Sequence, residues 1–122
     1  MKNSTGTVPT AIIARLTTAF DRHDAALLDD LLAEDCVLHT IAPAPSGGQV
    51  VGRAACRLHW GALIADESIR WVLEDQFDTN RTVVQRWRCV DPNDELVQRG
   101  VNIFTVHDGL ISSAHGYVKA SG

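Results

Sequence analysis

The chain has 122 residues, which is enough for one domain and too few for two. Its net charge of −4, with no basic cluster, excludes the electrostatic pattern of a nucleic-acid-binding protein. The hydrophobic content of 45%, without an apolar run of transmembrane length, is typical of a globular protein that has no membrane partner.

The first half of the chain carries helical patterns. Residues 1–7 are expected to form a flexible tail ahead of the first helix. A second, short helix is expected after Asp24, which can cap it, and a third over about residues 52–65. Residues 36–41 read as a strand, whereas residues 42–51 read as a loop because prolines and glycines interrupt them. The buried faces of the three helices are predicted to be Val8, Ile12, Leu16 and Phe20, then Leu27, Leu28, Leu31 and Leu32, then Ala55, Cys56, His59, Trp60, Leu63 and Ile64.

The second half changes to the period of two that is typical of β-strands. Its turns, at Asn80, residues 91–94 and Asp108-Gly109, are short, which predicts antiparallel hairpins. The order α-α-β-α-β-β-β-β predicts one α+β domain over residues 1–122, with three N-terminal helices packed on a mostly antiparallel sheet. The last four strands are predicted at residues 69–78, 82–90, 95–106 and 110–119.

Short motifs that would indicate a cofactor are missing. No CxxC, HExxH or glycine-rich phosphate loop occurs, so we expect neither a metal site nor a bound cofactor. Cys36, Cys56 and Cys89 are scattered among apolar residues, which predicts reduced, buried thiols. The first residues, MKNSTGTVPT, lack the apolar core of an export signal, and we therefore expect a cytoplasmic protein.

Three stretches resemble the nuclear transport factor 2-like superfamily. They are AFDRHDAALLDDLLAEDCVLHT (residues 19–40), VVGRAA (50–55) and RGVNIFTVHDGLI (99–111), and with the element order they cover nearly the whole chain. The small-molecule branch of this superfamily contains SnoaL-like polyketide cyclases, ketosteroid isomerases and limonene epoxide hydrolases. The resemblance implies a cystatin-like cone, in which a curved sheet wraps the helices around an apolar pocket. It implies the fold more specifically than the activity, because this fold hosts both enzymes and non-catalytic modules.

The chain departs from the catalytic residues of these relatives. Ketosteroid isomerases carry a general-base aspartate where this chain has Thr40, and a hydrogen-bonding tyrosine where it has Leu16. Their oxyanion-binding aspartic acid aligns with Asn102, as does the catalytic aspartate of SnoaL-like cyclases. Both of these acid-base sets are therefore incomplete.

Limonene epoxide hydrolases use an Asp-Arg-Asp set, for which Arg86 is the candidate arginine, while Arg88 and Gly116 stand at the aspartate positions. That alignment would put both arginines in the pocket. The simplest register across residues 91–94 instead puts them outside, and we prefer it because two unpaired buried guanidinium groups cost more than a buried Trp87. The same register places Val83, Gln85, Trp87 and Cys89 on the Asn102 face, and Arg86, Arg88 and Arg99 outside with Val101 and Ile103.

The register of the last hairpin decides what faces Asn102. A two-residue turn at Asp108-Gly109 would pair Asn102 with His115, and a three-residue turn with a bulge would pair it with Ala114. The sequence allows both, and one residue of slip reverses the whole strand. The resemblance favours the three-residue turn, because related pockets are lined at the positions of Ala114, Gly116 and Val118. His115 and Tyr117 would then face outward.

These registers predict an apolar, aromatic pocket with a few polar groups, which is the usual composition of a small-molecule site. Asp75 is expected inside, beside Gln85, because it alternates with Trp71 and Leu73. The predicted lining is Leu16, Phe20, Leu38, Trp60, Trp71, Gln85, Trp87, Phe104, Ala114, Gly116 and Val118, with the polar groups Thr40, His59, Asp75 and Asn102.

We expect a SnoaL-like enzyme that moves protons on a small apolar organic molecule: an isomerase, a cyclase or lyase, or an epoxide hydrolase. His59 or Asp75 would move the proton, while Asn102 and Thr40 would hold the oxygen. Each has a purely structural interpretation, as a packed histidine, a solvated carboxylate or an amide bonded to backbone. The alternative is a non-catalytic ligand-binding or dimerisation module. The resemblance also implies a homodimer through the outer sheet face, at Arg86, Arg88, Val101, Ile103, His115 and Tyr117.

Overall fold

The described part of the chain begins with a helix. The structure, a computed structural model, describes residues 8–119, so the tail expected at residues 1–7 lies outside it. Helix α1 (Pro9–Arg22) starts at a proline, whose missing N–H is not needed in the first turn. It ends at His23, which takes up the left-handed backbone conformation common at helix ends. Of the predicted apolar stripe, Ile12 and Leu16 are buried and Phe20 is half-buried, but Val8 precedes the helix and is 51% exposed. Ala55, which was predicted on the buried face of the third helix, is also exposed.

The predicted second α-helix is wrong. Asp24 does cap an element, accepting a hydrogen bond from the Ala26 backbone N–H at 3.1 Å, but the element is a single 3-10 turn, Ala25–Leu28. The chain is already in strand β1 (Leu32–Thr40) four residues later, which leaves no room for a second turn of helix. Of its four predicted buried leucines, Leu27 is only half-buried, and the other three are buried.

The segment predicted as a loop over residues 42–51 contains a strand. Strand β2 (Gly48–Val51) pairs antiparallel with the end of β1, and helix α2 (Arg53–Ala65) follows it directly. Four residues are too few for an alternating pattern to be visible beside two prolines and two glycines. The third predicted helix is confirmed as α2.

The four predicted C-terminal strands are confirmed to within two residues. They are β3 (Arg70–Thr79), β4 (Thr82–Val90), β5 (Leu96–His107) and β6 (Leu110–Val118). The six strands form one sheet in the order β2-β1-β6-β5-β4-β3, in which only the β1–β6 pair is parallel. Residues 8–119 therefore form an α+β fold with two α-helices and a six-stranded mixed sheet.

The helices pack on one face of the sheet, which we call the inner face. The core combines the apolar stripe of α1 with α2 and with inner residues of the strands. Neither α-helix of the described residues is long and apolar enough to cross a membrane. The main core residues are Ile12, Ile13, Leu16, Ala19, Leu28, Leu31, Cys36, Leu38, Cys56, Trp60, Ile64, Val83, Phe104, Val106, Ile111 and Ala114.

The register predicted for β4 and β5 is confirmed. Gln85 lies opposite Asn102, and Val83 opposite Phe104, all on the inner face. Arg86 lies opposite Val101 on the outer face, as predicted, and so does the pair of Arg88 and Arg99. The arginines are therefore outside the cone, and the epoxide-hydrolase alignment does not bring them into it.

The register predicted for β3 is wrong beyond Leu73. Leu73 pairs with Trp87, but the next paired residue is Asp75, opposite Arg86, so Glu74 is one extra residue in β3. A bulge of this kind reverses the facing of the rest of the strand. Asp75 therefore lies on the outer face, and Gln76 takes the inner position opposite Gln85.

The last hairpin combines parts of both registers considered for it. The turn has two residues, Asp108 and Gly109, with φ of 53° and 75°, as a tight hairpin turn requires. A bulge then leaves Ser112 unpaired, and its hydroxyl donates to the Thr105 carbonyl oxygen at 3.2 Å. Asn102 consequently pairs with Gly116, not with His115 or Ala114. The resemblance correctly implied which residues of β6 face the helices, although the pairing of Asn102 is neither of the two that were predicted.

Candidate ligand cavity

A cavity of about 450 Å³ opens between the helices and the inner face of the sheet. Helix α1 supplies one wall, α2 a second, and strands β1 and β3 to β6 the floor. The walls are mainly aliphatic and aromatic, which suits a small organic molecule. The cavity contains every predicted lining residue except Val118, namely Leu16, Phe20, Leu38, Trp60, Trp71, Gln85, Trp87, Phe104, Ala114 and Gly116.

Val118 does not line the cavity, although it lies on the inner face. It pairs with Gly100 and is the last residue of β6. Its facing was predictable from the alternation, but the alternation does not predict which inner residues the cavity reaches, since Gln98, farther along β5, does line it.

Asn102 lies at the centre of the floor. It is half-buried in β5, between Gln85 of β4 and Gly116 of β6. No residue in the described range 8–119 makes a hydrogen bond with its side chain, so its amide is left to the cavity. An amide has two N–H donors and a carbonyl acceptor, and it neither gains nor loses a proton near neutral pH. Asn102 can therefore orient an oxygen of a ligand but cannot transfer a proton to it.

Small residues on β6 leave the space in front of Asn102 open. A Cβ atom added at Gly116 would lie 3.2 Å from Asn102 Oδ1 and 3.2 Å from Ile41 Cγ1, closer than nearly all real contacts. Ala114, the next inner residue, is also small. The volume of the cavity beside the amide therefore depends on residue size at these two positions.

His59 projects from α2 into the cavity wall beside Trp60. It is half-buried, and its ring makes no hydrogen bond with any of residues 8–119. A neutral imidazole in such a position has a nitrogen available to accept a proton. His59 is therefore one of the titratable side chains of the lining, with Asp21 and His39.

Thr40 lines the cavity, but its hydroxyl is already engaged. It donates to the Ala42 carbonyl oxygen at 2.6 Å and accepts from the Gly48 N–H at 3.1 Å. These two bonds close the loop between β1 and β2. The single hydroxyl hydrogen is thus used within the fold, and Thr40 cannot donate it to a substrate oxygen as predicted.

The assignment of Asp75 as a proton carrier in the cavity is wrong. Its carboxylate lies on the outer face and forms a two-point ion pair with Arg86, with an Arg86 Nε–Oδ1 distance of 2.8 Å. Hydrogen bonding to this guanidinium lowers the pKa of the Asp75 carboxyl. The cause of the error is the bulge at Glu74, which the sequence does not reveal.

Sequence reasoning missed several residues of the cavity. The most informative are Thr17 and Asp21, which are four residues apart on α1 and flank the stripe of Leu16 and Phe20. A helical projection centred slightly to one side of that stripe would have included both. Asp21 is exposed and is the one carboxylate in the lining formed by residues 8–119. The other missed residues are His39, Ile41, Ala42, Leu63, Leu73 and Gln98.

Two tryptophans form an aromatic corner of the cavity. The rings of Trp71 and Trp87 meet edge to face with centroids 4.9 Å apart, and Phe20 packs edge-on against Trp71 at 5.9 Å. Gly100 makes this possible, since an added Cβ there would lie 2.4 Å from Trp87 Cζ2. A flat ring is the ligand shape that such surfaces bind best.

The cysteines do not contribute a reactive group. All three are free and buried, and the Cys56 sulfur lies 3.3 Å from the carbonyl oxygens of both Cys36 and Val50, either of which can accept its single hydrogen. Burial, reinforced by the neighbouring Cys56, raises the pKa of Cys36 to about 12. Within residues 8–119, no three His, Cys, Asp or Glu side chains are grouped as a metal site would require.

The chain was compared with known families and structures. The model of the SnoaL-like domain family matches residues 13–114. An NTF2-like protein of unknown function from Mesorhizobium loti is 35% identical, with a TM-score of 0.87 and 98% of each chain covered. No curated protein matches the chain significantly.

More distant structures share the fold alone. A candidate isomerase of the SnoaL-like family from Agrobacterium tumefaciens has a TM-score of 0.72 at 16% identity, covering 96% of this chain and 100% of that one. A candidate polyketide cyclase from Sinorhizobium meliloti has a TM-score of 0.71 at 18% identity, covering 94% and 100%.

Proposed function

The chain belongs to the SnoaL-like domain family, and we propose that it is a cofactor-independent enzyme that moves a proton on a small, largely apolar carbonyl compound. The observation that carries this proposal is the Asn102 amide, which faces a cavity of about 450 Å³ without a partner among residues 8–119. The amide is half-buried and open to the cavity, so a ligand bound there can supply its hydrogen-bonding partner. Isomerisation, cyclisation and dehydration of a carbonyl compound all begin with the transfer of a proton.

The proposed chemistry assigns one role to each of two residues. His59 takes a proton from the carbon next to the ligand carbonyl, and the electron pair of that C–H bond moves to form an enolate. The enolate oxygen accepts a hydrogen bond from the Asn102 amide, which stabilises the developing charge. His59 then returns the proton to a different carbon, which completes an isomerisation without a cofactor.

Asp21 is the second group able to take the proton. It lies on α1, is exposed, and lines the cavity, so it fits a proton carrier at the entrance better than one in the interior. His59 is preferred because it is half-buried among the apolar residues of the wall. A ligand there is shielded from water, which strengthens its electrostatic interactions with the protein.

The test uses 2-tetralone, a neutral bicyclic ketone, in deuterated buffer, with exchange of its α-hydrogens followed by NMR. We expect the wild-type protein to accelerate exchange, His59→Gln to slow it on the order of 10²-fold, and Asn102→Ala to slow it by about as much. Asp75→Asn removes a carboxylate outside the cavity and is the matched control. Exchange by His59→Gln at the wild-type rate would contradict the assignment of His59.

A non-catalytic binding protein is the second candidate. The observation in its favour is that an amide stands at the Asn102 position, where the enzymes that this chain resembles carry an acid. Such a protein would bind 2-tetralone and return it without deuterium. Binding in the wild-type protein with no acceleration of exchange would therefore favour this function over the enzymatic one.

A further inference from the structure

Gln85 is the most deeply buried polar side chain in the wall of the cavity. It is 8% exposed, on the inner face of β4, directly opposite Asn102. Its Nε2 atom donates two hydrogen bonds, to Thr17 Oγ1 and to Gln76 Oε1, each 2.9 Å long. A glutamine amide has two N–H donors, so both are used within the protein.

The orientation of this amide follows from Thr17. The Thr17 hydroxyl donates its hydrogen to the Ile13 carbonyl oxygen at 3.1 Å, one turn earlier in α1. Its oxygen can then only accept, and the neighbouring Gln85 atom must be the nitrogen. With the Gln85 nitrogen fixed towards α1 and β3, the carbonyl oxygen Oε1 is the part of the amide that remains for the cavity.

No donor of residues 8–119 reaches Gln85 Oε1, and no hydrogen bond joins it to the Asn102 amide opposite. In the described residues, the polar side-chain atoms that are fully enclosed and lack a hydrogen-bonding partner are the indole nitrogens of Trp71 and Trp87. Gln85 Oε1 is not one of them, so it is not fully enclosed. It is therefore accessible from the cavity and has a vacant acceptor site. A buried acceptor without a donor destabilises any complex that does not supply one.

We propose that Gln85 Oε1 is a specificity determinant, and that the cavity selects a neutral, flat-ring compound bearing a hydroxyl group that donates to it. This inference rests on the proposed ligand-binding function and adds the chemical class of the ligand. The oxygen at Gln85 accepts the hydroxyl hydrogen, and the Trp71–Trp87 corner packs against the ring. An ionised oxygen on the ligand would face a carbonyl oxygen and be repelled, so the neutral form is the one bound.

A polar site of this kind discriminates strongly against an analogue that lacks the matching group, because the protein atom is then left unpaired. The probes are 1-naphthol, 1-methoxynaphthalene and naphthalene, which share a ring system and differ in the donor. We expect isothermal titration of the wild-type protein below pH 8 to show about tenfold tighter binding of 1-naphthol than of 1-methoxynaphthalene.

Two variants test the role of Gln85. Gln85→Leu removes the acceptor, so we expect 1-naphthol and 1-methoxynaphthalene to bind within about twofold of each other while naphthalene still binds. Thr17→Val keeps Gln85 but removes the group that orients it, and the preference for 1-naphthol should fall in the same direction. Thr17→Ser restores the hydroxyl and should restore the preference. Gln49→Leu, on the outer face, is the matched control and should keep the wild-type ratio.

The outcomes separate this inference from the proposed function. Equal binding of the three probes by the wild-type protein, or a tenfold preference that persists in Gln85→Leu, would overturn the role of Gln85 and leave the cavity as a ligand site. Failure of all three probes to bind up to their solubility would overturn the binding function, and the inference with it. If Gln85→Leu unfolds, the Thr17→Val and Thr17→Ser pair decides the question, since a preference unchanged in Thr17→Val would contradict the proposal.

Discussion

Asn102 is one of the residues, with Leu16 and Thr40, at which this chain departs from the ketosteroid isomerases that it resembles. Those enzymes carry a carboxylic acid at the position of Asn102, and an amide of similar size can hold the same oxygen without exchanging a proton. Its hydrogen-bonding capacity does not change with pH near neutrality. Any pH dependence of the proposed reaction therefore has to come from another group, and the titratable side chains of the cavity lining are Asp21, His39 and His59.

His115 illustrates how a residue expected on the outer face acquires an unusual environment. Its ring stacks on that of His39 in the neighbouring strand, with centroids 3.9 Å apart and planes inclined by 6°. Partial burial, and after it the nearby His39, lower the pKa of His115 below its usual value of 6.5. The contact between the two rings depends on the parallel β1–β6 register, which places His39 directly opposite His115.

This lowered pKa predicts a specific loss of stability in mild acid. As the pH falls through 6.5, the unfolded chain takes up a proton at His115 before the folded protein does, so the free energy of unfolding decreases. We expect urea unfolding of the wild-type protein to show a decrease between pH 7.5 and pH 5.5 that is smaller in His115→Gln. His107→Gln, which removes an exposed histidine at the nearby turn, is the control. Equal decreases in wild type and His115→Gln would contradict this explanation.

At the scale of elements, the sequence predicted the bounds of the strands better than the face of the sheet on which each residue lies. The period-two pattern located β3 to β6 to within two residues, because each strand has one face against the helices. The bulges at Glu74 and Ser112 were not predictable, since an extra unpaired residue leaves no mark in local composition. They reversed the expected position of Asp75 and produced a pairing for Asn102 that the turn alone did not suggest.

The two missed features of the N-terminal half have a related cause. The 3-10 turn Ala25–Leu28 and strand β2 are each four residues long, and periodicity needs a longer window. Their positions are fixed by tertiary contacts: the leucines after Asp24 enter the core, and β2 adds to the edge of β1. Local pattern accordingly predicted the long elements and failed where the neighbours of a segment decide its conformation.

Two glycines of the β5–β6 hairpin, Gly109 and Gly116, serve different purposes. Gly109 has φ of 75° in the turn, a conformation that costs an L-residue about 1 kcal/mol or more. We expect Gly109→Ala to lower the free energy of unfolding in urea by about 1 kcal/mol, with 1-naphthol affinity unchanged.

Gly116 is the comparison within the same hairpin. Its added Cβ meets the side chains of Asn102 and Ile41, which can move, so we expect little change in stability. The same methyl group occupies the cavity and should weaken 1-naphthol binding by about tenfold. A Gly116→Ala protein that binds 1-naphthol as well as wild type would show that the ligand does not occupy the space in front of Asn102.

At the scale of the whole molecule, the order of elements and the family resemblance together predicted the architecture, and the SnoaL-like family is confirmed. The aromatic cavity was also largely predicted, because its lining follows from the alternation in β4 and β5. The sequence did not predict whether the cavity catalyses a reaction. No residue pattern distinguishes a proton-transferring site from a binding site when Asn102 stands in place of the acid. That difference lies in the geometry of a bound ligand.

The outer face of the sheet is the other large surface of the molecule. One row of side chains runs across all six strands, from β2 to β3, through positions that are directly paired: Gln49, His39, His115, Ile103, Val84 and Phe77. Phe77 and, in the adjacent row, Tyr117 are 55% and 57% exposed. Ion pairs of Arg86 with Asp75 and of Arg99 with Glu74 lie beside this row, so the face carries both signs of charge.

We propose that this face binds a second copy of the chain. A two-fold dimer brings one patch against itself, which requires the patch to be self-complementary, and a row of mixed polar and apolar side chains bordered by both positive and negative groups meets that requirement. Ile103, in the middle of the row, is the position at which a charge should destabilise the dimer most, because it would be buried unpaired.

We expect the wild-type protein at about 50 µM (a concentration at which a micromolar dimer forms) to sediment as a dimer and Ile103→Glu as a monomer, with 1-naphthol binding retained. Leu58→Glu, an equivalent change on the exposed side of α2, should leave the dimer intact. A monomeric wild-type protein, or a dimer lost equally in both variants, would show that the outer face is not the contact.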